Sequence, residues 1–225
     1  MNNSPTQLPT IIKSSGEREE FSLVKFRHSL DKSGLTPEEQ DKLIEIIKQK
    51  HFKNTKELFA FTRSYLHKKN PVLSSRYSLK KALFELGPAG FPFEQFVAAL
   101  FQEKGYEIET DVILSGWCID HEIDVVAKKE HQIEIIECKF HGNTLLKTNV
   151  KVTLYIKARF DDIFKKLTQD QTVTLPQDYA PWLISNTRFT SNAIAYARCA
   201  HLELLGWSFP PNNGLQQWIE AAHLH

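Results

Sequence analysis

The apolar residues in the first third of the chain recur every three or four positions, which predicts helices. Ser22 is placed to cap the first helix. A start signal of Thr36, Pro37 and glutamates precedes the second, and the third begins near Thr55. The fourth ends at Gly87, since a glycine followed by a proline stops a helix. Ahead of them, two short segments around a Ser-Ser-Gly turn predict a small hairpin.

Beyond residue 90 the pattern alternates between helical and strand periods. A stripe of apolar positions opens this part with an amphipathic helix, and Gly105 ends it. The predicted order is helix, three strands, long helix, strand, short helix capped by Ser191, strand and closing helix. This order is typical of a mixed α/β domain with helices packed on a central sheet. The predicted strands are Glu107–Leu114, Glu122–Ala127, Gln132–Cys138, Pro181–Ser185 and a last one within residues 201–207.

The segment Gly87–Gly90 is the predicted boundary between two domains, over residues 10–86 and 90–225. Charge divides there as well. Residues 1–85 hold 16 lysines and arginines against 10 acids, and residues 86–225 hold 12 against 17. The basic front and the acidic back favour two modules with different ligands, although uneven surface charge explains the numbers equally well.

The composition is that of a soluble globular protein, with 225 residues, 41% hydrophobic and 24% charged. Its three cysteines, Cys118, Cys138 and Cys199, are far apart, so neither a zinc knuckle nor a disulfide framework is indicated. The first residues lack a basic start followed by an apolar run, and no segment approaches the length of a membrane span. We therefore expect a cytoplasmic protein without a membrane partner.

Acidic residues stand inside the most apolar strands. Asp124 lies in one predicted strand, and Glu137 and Lys139 share a face of the next, because side chains alternate along a strand. If the two strands pair as a hairpin, Asp124 and Glu137 meet at one end. Buried neighbouring carboxylates need a cation, and Mg²⁺ or Mn²⁺ takes carboxylate oxygens while keeping waters for a phosphate. Glu94, on the preceding helix, could add a further carboxylate, and a structural ion pair of Glu137 with Lys139 is the alternative.

These residues resemble the PD-(D/E)xK nuclease superfamily. The blocks GYEIE, HEIDVVA, IIECKFH, WLISNTRFTSNAIAYA and LELLGW resemble, in this order, the catalytic domain of Mrr-like type IV restriction endonucleases over residues 90–210. The resemblance implies that Asp124, Glu137 and Lys139 are catalytic, that the first two hold the metal, and that Glu94 is the helix acid. Many relatives have glutamine at the position of Glu137. The proline of the superfamily's name is replaced by Ile123.

The front of the chain resembles a second family. TIIKSSGEREEFSLVKFRHSL is similar to the opening of an ATP-cone, the nucleotide-sensing domain of ribonucleotide reductases and their repressor. The resemblance covers residues 10–86 and implies ATP or dATP as a regulatory ligand. The family commonly has a second basic residue where this chain has Ser14. The implied nucleotide-binding residues are Ile11, Lys13, Glu19, Lys25 and Thr55.

Other polar residues are weaker candidates. His121 has no second histidine at metal-ligand spacing and is interpreted as structural or substrate-adjacent. His141 stands two places after Lys139 and could face the same side. Thr190 or Ser191, at a helix start, could bind a DNA phosphate, and capping explains them equally well.

The sequence thus predicts a Mg²⁺-dependent DNA endonuclease, with a role in restriction or DNA processing, joined to an ATP-cone that reports the nucleotide state. One alternative is a nucleotide-responsive DNA-binding regulator whose nuclease fold no longer cuts. A ribonuclease is another. The expected partners are DNA and ATP or dATP, and a homo-oligomer is left open.

Overall fold

A computed structural model describes residues 10–12, 18–50, 52–87, 89–169 and 179–222 of the chain. The chain divides into two compact units between Lys80 and Lys81. This division falls a few residues before the boundary that the sequence indicates.

The first unit consists of a short antiparallel hairpin followed by helices. Ser22 caps α1 by accepting a hydrogen bond from the Lys25 amide, and Thr36 and Glu39 form the reciprocal capping box of α2. Leucine and isoleucine side chains on the inner faces of these helices form its core. The elements are β1 (Thr10–Ile12), β2 (Arg18–Glu20), α1 (Leu23–Lys32), α2 (Pro37–Lys48), α3 (Thr55–Lys69) and α4 (Pro71–Phe84), with the division falling inside α4.

The second unit is built on a five-stranded mixed sheet in the order β3-β4-β5-β7-β9. The first three strands are antiparallel neighbours, and β5, β7 and β9 run parallel. Parallel neighbours require crossover connections, and helices supply them. The strands are β3 (Glu107–Ser115), β4 (Asp120–Lys129), β5 (Gln132–Lys139), β7 (Tyr179–Ser185) and β9 (Glu203–Leu205).

Helices flank this sheet. They are α5 (Phe91–Glu103), α6 (Val150–Gln169), α7 (Ser191–Cys199) and α8 (Leu215–Ala221). Phe160 and Ile163 of α6 pack against Ile123, Ile135 and Leu183 of the sheet in a fully buried core. Burying apolar side chains of this size contributes about 1.5–3 kcal/mol each, which fixes α6 on the sheet.

A second, two-stranded parallel sheet joins β6 (Lys147–Thr148) to β8 (Arg188–Phe189). The sequence did not predict it, because two-residue strands have no readable period. The structure also corrects one cap: Thr190, rather than Ser191, is the N-cap of α7, and its hydroxyl accepts a hydrogen bond from the Ala193 amide.

The mixed α/β fold with a central sheet flanked by helices is confirmed. No helix among the residues that the structure describes is both long enough and apolar enough to cross a membrane.

Candidate active site

The predicted hairpin of β4 and β5 exists, and its register runs from the Lys129–Gln132 pair to the Val125–Ile136 pair. The next position in the same register would place Asp124 opposite Glu137. Regular pairing of β4 with β5 stops there, and the Asp124 side chain instead bonds to the backbone of β5. Its Oδ2 accepts a hydrogen bond from the Cys138 amide at 2.6 Å. Regular backbone pairing therefore ends at the point where the two acids stand.

All four predicted catalytic residues lie around one cleft of about 390 Å³, lined by Glu94, Asp124, Glu137 and Lys139 together with residues of α6. Glu94 comes from the first turn of α5, and Glu137 is buried while Lys139 is exposed at the end of β5. Lys139 makes no hydrogen bond or ion pair with any residue that the structure describes, so the alternative pairing with Glu137 is not seen.

The two acids of the apolar segment IEIIEC have different surroundings. Glu134 accepts hydrogen bonds from the Tyr106 hydroxyl at 3.2 Å and from Trp182 Nε1 at 2.7 Å, so both of its oxygens are satisfied. Glu137 Oε1 is buried and has no hydrogen-bond partner among the described residues. Glu134 is therefore a structural residue, whereas Glu137 Oε1 has no hydrogen bond and is compensated only by an ion pair with Arg159 of α6.

Burial shifts the titration of the cleft acids. Burial and then the charge of Asp124 raise the pKa of Glu137 to about 8. Burial also raises the pKa of Asp124, against the lowering effect of the Cys138 hydrogen bond. The pKa of Glu94 rises through burial and then through the charge of Asp124. Three acids that resist ionisation in one cleft are typical of a functional site.

Arg159 of α6 is the residue that sequence reasoning missed. Its Nη1 lies 2.6 Å from Glu137 Oε1, at ion-pair distance although without hydrogen-bond geometry. Its Nη2 donates to the Glu122 carbonyl, and its guanidinium lies 5.7 Å from the centre of the Tyr155 ring. A signal existed in the sequence: Lys151, Tyr155 and Arg159 are spaced four apart, beside the apolar stripe of the helix.

His121 has a structural contact, which agrees with the first of the two interpretations given from the sequence. Its Nε2 lies 2.9 Å from Asp162 Oδ2 of α6. Asp162 Oδ1 also accepts from the Cys118 amide at 2.9 Å, and the hydrogen bond with His121 lowers the pKa of Asp162 to about 2. Together these contacts fasten the β3–β4 turn to α6.

The His141 side chain belongs to a polar network that includes buried residues. Its Nε2 lies 3.0 Å from Thr148 Oγ1, which lies 2.9 Å from Ser185 Oγ. Burial, then the charge of Lys139, lowers the pKa of His141.

The predicted nucleotide-binding residues fall in the first unit. Ile11 and Glu19 are register partners across the β1–β2 hairpin. Lys25 is exposed on α1, and Thr55 is exposed at the first position of α3, after the N-cap Asn54. Lys13 lies outside the described residues.

Comparison with known proteins identifies the second unit. Residues 89–159 match the family Mrr_cat, described as restriction endonuclease. A protein of Archaeoglobus fulgidus, described as uncharacterized, is 38% identical over 130 residues, which are 57% of this chain and 68% of that protein. The chain belongs to the same family as this archaeal protein. The predicted resemblance to Mrr-like endonucleases is thereby confirmed for residues 89–159, and the ATP-cone stays a prediction.

Solved structures similar to this chain include one with a TM-score above 0.5. The crystal structure of a protein of unknown function, AF1548, has a TM-score of 0.52 at 34% identity and covers 60% of this chain and 67% of that chain. The restriction endonuclease MspJI, in complex with a 27-mer oligonucleotide, has a TM-score of 0.38 at 13% identity and covers 59% of this chain and 29% of that chain. The family match, rather than these structures, shows that residues 89–159 carry a restriction-endonuclease-like catalytic domain.

Proposed function

We propose that the second unit is a divalent-cation-dependent endonuclease that hydrolyses phosphodiester bonds of DNA. The observation that carries the proposal is the end of the β4–β5 hairpin, where Asp124, Glu137 and Lys139 line one cleft. A match to the restriction endonuclease family over the same residues supports it.

Asp124 and Glu137 would hold the cation, Mg²⁺ or Mn²⁺. Their chemistry fits, because hard divalent ions prefer carboxylate oxygens and Glu137 Oε1 is a buried oxygen without a hydrogen bond. Among the described residues, no three histidine, cysteine, aspartate or glutamate side chains form a ready metal cluster. A pair of carboxylates suits Mg²⁺, which keeps several waters and shares its remaining positions with a phosphate. When bound, the ion polarises the phosphate and makes a water more acidic.

The chain's own groups divide the remaining work. The exposed ammonium of Lys139 orients the attacking water and stabilises the negative charge that develops on the phosphate. The Cys138 amide fixes the orientation of the Asp124 carboxylate. Glu94, whose pKa is raised by burial, holds or accepts a proton of nearby solvent. Arg159 supplies positive charge beside Glu137.

Cleavage of supercoiled plasmid in Mg²⁺ tests this function. We expect wild-type protein to nick or linearise DNA. Glu137→Gln and Lys139→Met should each lower the cleavage rate by about 100-fold or more, which is the contribution of one positioned acid or base. Glu122→Gln and Lys128→Met are matched controls, since both residues lie on β4 outside the cleft lining. Wild-type protein that cuts neither unmodified nor modified DNA would favour the alternative of a non-cutting DNA-binding regulator.

For the first unit, we propose that it binds ATP or dATP and that this binding changes the rate of DNA cleavage. Support comes from the hairpin that pairs Ile11 with Glu19, and from the exposed positions of Lys25 and Thr55. A helix start such as that of α3 favours an anionic group.

Thermal unfolding with and without ATP or dATP tests this second proposal. Ligand at 100 times its Kd stabilises a protein by about 2.7 kcal/mol, which is readily measured. Lys25→Met should reduce the shift, and Lys42→Met, an exposed lysine of α2, should not. Identical melting curves and identical plasmid cleavage with and without both nucleotides would contradict it.

A further inference from the structure

The β6–β8 ribbon, formed by residues 147–148 and 188–189, carries two like charges side by side. Lys147 and Arg188 are register partners in this parallel pair, so their backbones are about 4.8 Å apart. Both side chains are exposed, while the following residues, Thr148 and Phe189, are buried on the other face. Like charges directly opposite each other destabilise a strand pair, which makes this arrangement costly unless an anion binds there.

Neither cation has a counter-ion among the residues that the structure describes. Other exposed lysines of the chain do: Lys69 lies 2.5 Å from Glu39, and Lys81 lies 3.4 Å from Glu85. The unpaired charges also stand in the half of the chain where acids outnumber bases by 17 to 12. The ribbon is therefore a local positive site on an otherwise acidic unit.

A buried polar network fixes the ribbon to the catalytic end of the sheet. Thr148 Oγ1 contacts both His141 Nε2 and Ser185 Oγ. The Asn186 side chain accepts from the His141 amide at 2.8 Å and donates to the His141 carbonyl at 2.9 Å. His141 follows Lys139 by two residues. A satisfied buried network is rigid, so the two cations are held in a fixed place beyond the end of β5.

The ribbon is also close to the cleft-lining residues in the sequence. Lys147 precedes Lys151, a cleft-lining residue of α6, by four positions, which span at most about 14 Å. Lys151 is itself exposed. Lys139 and Lys151 line the cleft, and the ribbon brings Lys147 and its register partner Arg188 next to this basic side in the chain.

We infer that Lys147 and Arg188 bind backbone phosphates of a DNA duplex and place the scissile phosphate in the cleft. This inference rests on the proposed endonuclease function and adds the residues that position the substrate. Phosphate contacts of this kind fix the register of a duplex without reading its sequence. They release counterions, so binding through them weakens as salt rises.

The salt dependence of duplex binding tests the inference. The parent is Asp124→Asn in EDTA, which prevents cutting, and fluorescence anisotropy of a labelled duplex gives the Kd. Each lost phosphate contact lowers the slope of log Kd against log salt by about 0.9, so Lys147→Gln with Arg188→Gln should lower it by about 1.8. Between about 50 and 200 mM salt, the ratio of variant to parent Kd should then shrink roughly tenfold.

The matched control is Lys128→Gln with Lys129→Gln, which removes two charges at the opposite end of β4. A slope that changes equally in both double variants, or in neither, overturns the inference, as does a parent that binds no duplex. Plasmid cleavage by wild-type protein, measured in parallel, reports the endonuclease function separately. A lowered slope without cleavage would keep the ribbon as a DNA-binding site and reject the endonuclease.

Discussion

Arg159 Nη1 lies 2.6 Å from Glu137 Oε1, so the acid at the end of β5 faces a cation supplied by α6. The Arg159 side chain is 16% exposed and that of Glu137 is 7% exposed, so water screens their interaction little. Arg159 therefore compensates part of the negative charge that Asp124 and Glu137 concentrate in the cleft.

Replacing Arg159 with methionine should destabilise the metal-free protein in a pH-dependent way. Near pH 8.5, where Glu137 is mostly ionised, the loss should exceed the loss near pH 6 by about 1 kcal/mol, because a carboxyl with a pKa of about 8 can take up a proton when its partner is removed. Near pH 6 the loss should be smaller, because Glu137 is then protonated. Urea unfolding in EDTA measures both values. Lys165→Met, an exposed position of the same helix, should stay within about 0.5 kcal/mol, and an equal loss for Arg159→Met at both pH values would contradict the ion pair.

The raised pKa of Glu137 predicts how stability depends on pH. Between its ordinary pKa and about 8, the folded state holds a proton on Glu137 that the unfolded state has released. The free energy of unfolding should therefore fall as pH rises, by up to about 1.4 kcal/mol per pH unit. Glu137→Gln should remove this slope, and Glu122→Gln, which is exposed, should retain it. Parallel curves for wild type and Glu137→Gln would show that Glu137 titrates normally.

Cation binding should release a proton for the same reason. At pH 7 the metal-free Glu137 carboxyl is mostly protonated, and it must ionise to become a ligand. Calorimetric titration with Mg²⁺ in two buffers of different ionisation enthalpy should give about one proton released per ion bound. Glu137→Gln should bind weakly and release none. Tight binding to wild type without proton release would exclude Glu137 as a ligand.

The sequence was sufficient to locate the acids because strand alternation is simple. Glu137 and Lys139 had to share a face, and the short connection between two apolar strands made a hairpin whose pairing ends next to Asp124 and Glu137. The capping box of Thr36 and Glu39 likewise depends on neighbouring residues only. Helix caps and strand alternation both depend on residues that are close in sequence, so a single sequence is enough to predict them.

The residues that contact those acids from other elements could not be predicted from strand alternation. Arg159 reaches Glu137 only because α6 crosses over the sheet between the parallel strands β5 and β7, a long-range choice. The β6–β8 ribbon pairs residues 41 positions apart, and nothing in either dipeptide indicates the other. Thr190 takes the cap that was predicted for Ser191 because two hydroxyls in succession offer the same signal.

Gly116 should not tolerate a side chain. A Cβ there would stand 2.1 Å from Asp162 Oδ2 and 2.4 Å from the Ile119 carbonyl oxygen, in the turn that Asp162 fastens to α6. Gly116→Ala should therefore cost about 1–3 kcal/mol, as overpacking does. Gly142→Ala, where a Cβ meets no atom within 4 Å, is the control. Urea unfolding that is unchanged by Gly116→Ala would mean that the turn shifts freely.

Single-turnover cleavage of supercoiled plasmid by two Asp→Asn variants tests the central claim most directly. Asp124 lies in the cleft and accepts from the Cys138 amide, while Asp111 is exposed on β3, at a φ of 54° that asparagine also adopts readily. Each substitution removes one carboxylate charge and keeps the shape of the side chain. We expect Asp124→Asn to lower the rate in Mg²⁺ by 100-fold or more, on the order of one essential catalytic group, and Asp111→Asn to leave it nearly unchanged. Equal rates for both variants would place the chemistry outside the β4–β5 hairpin.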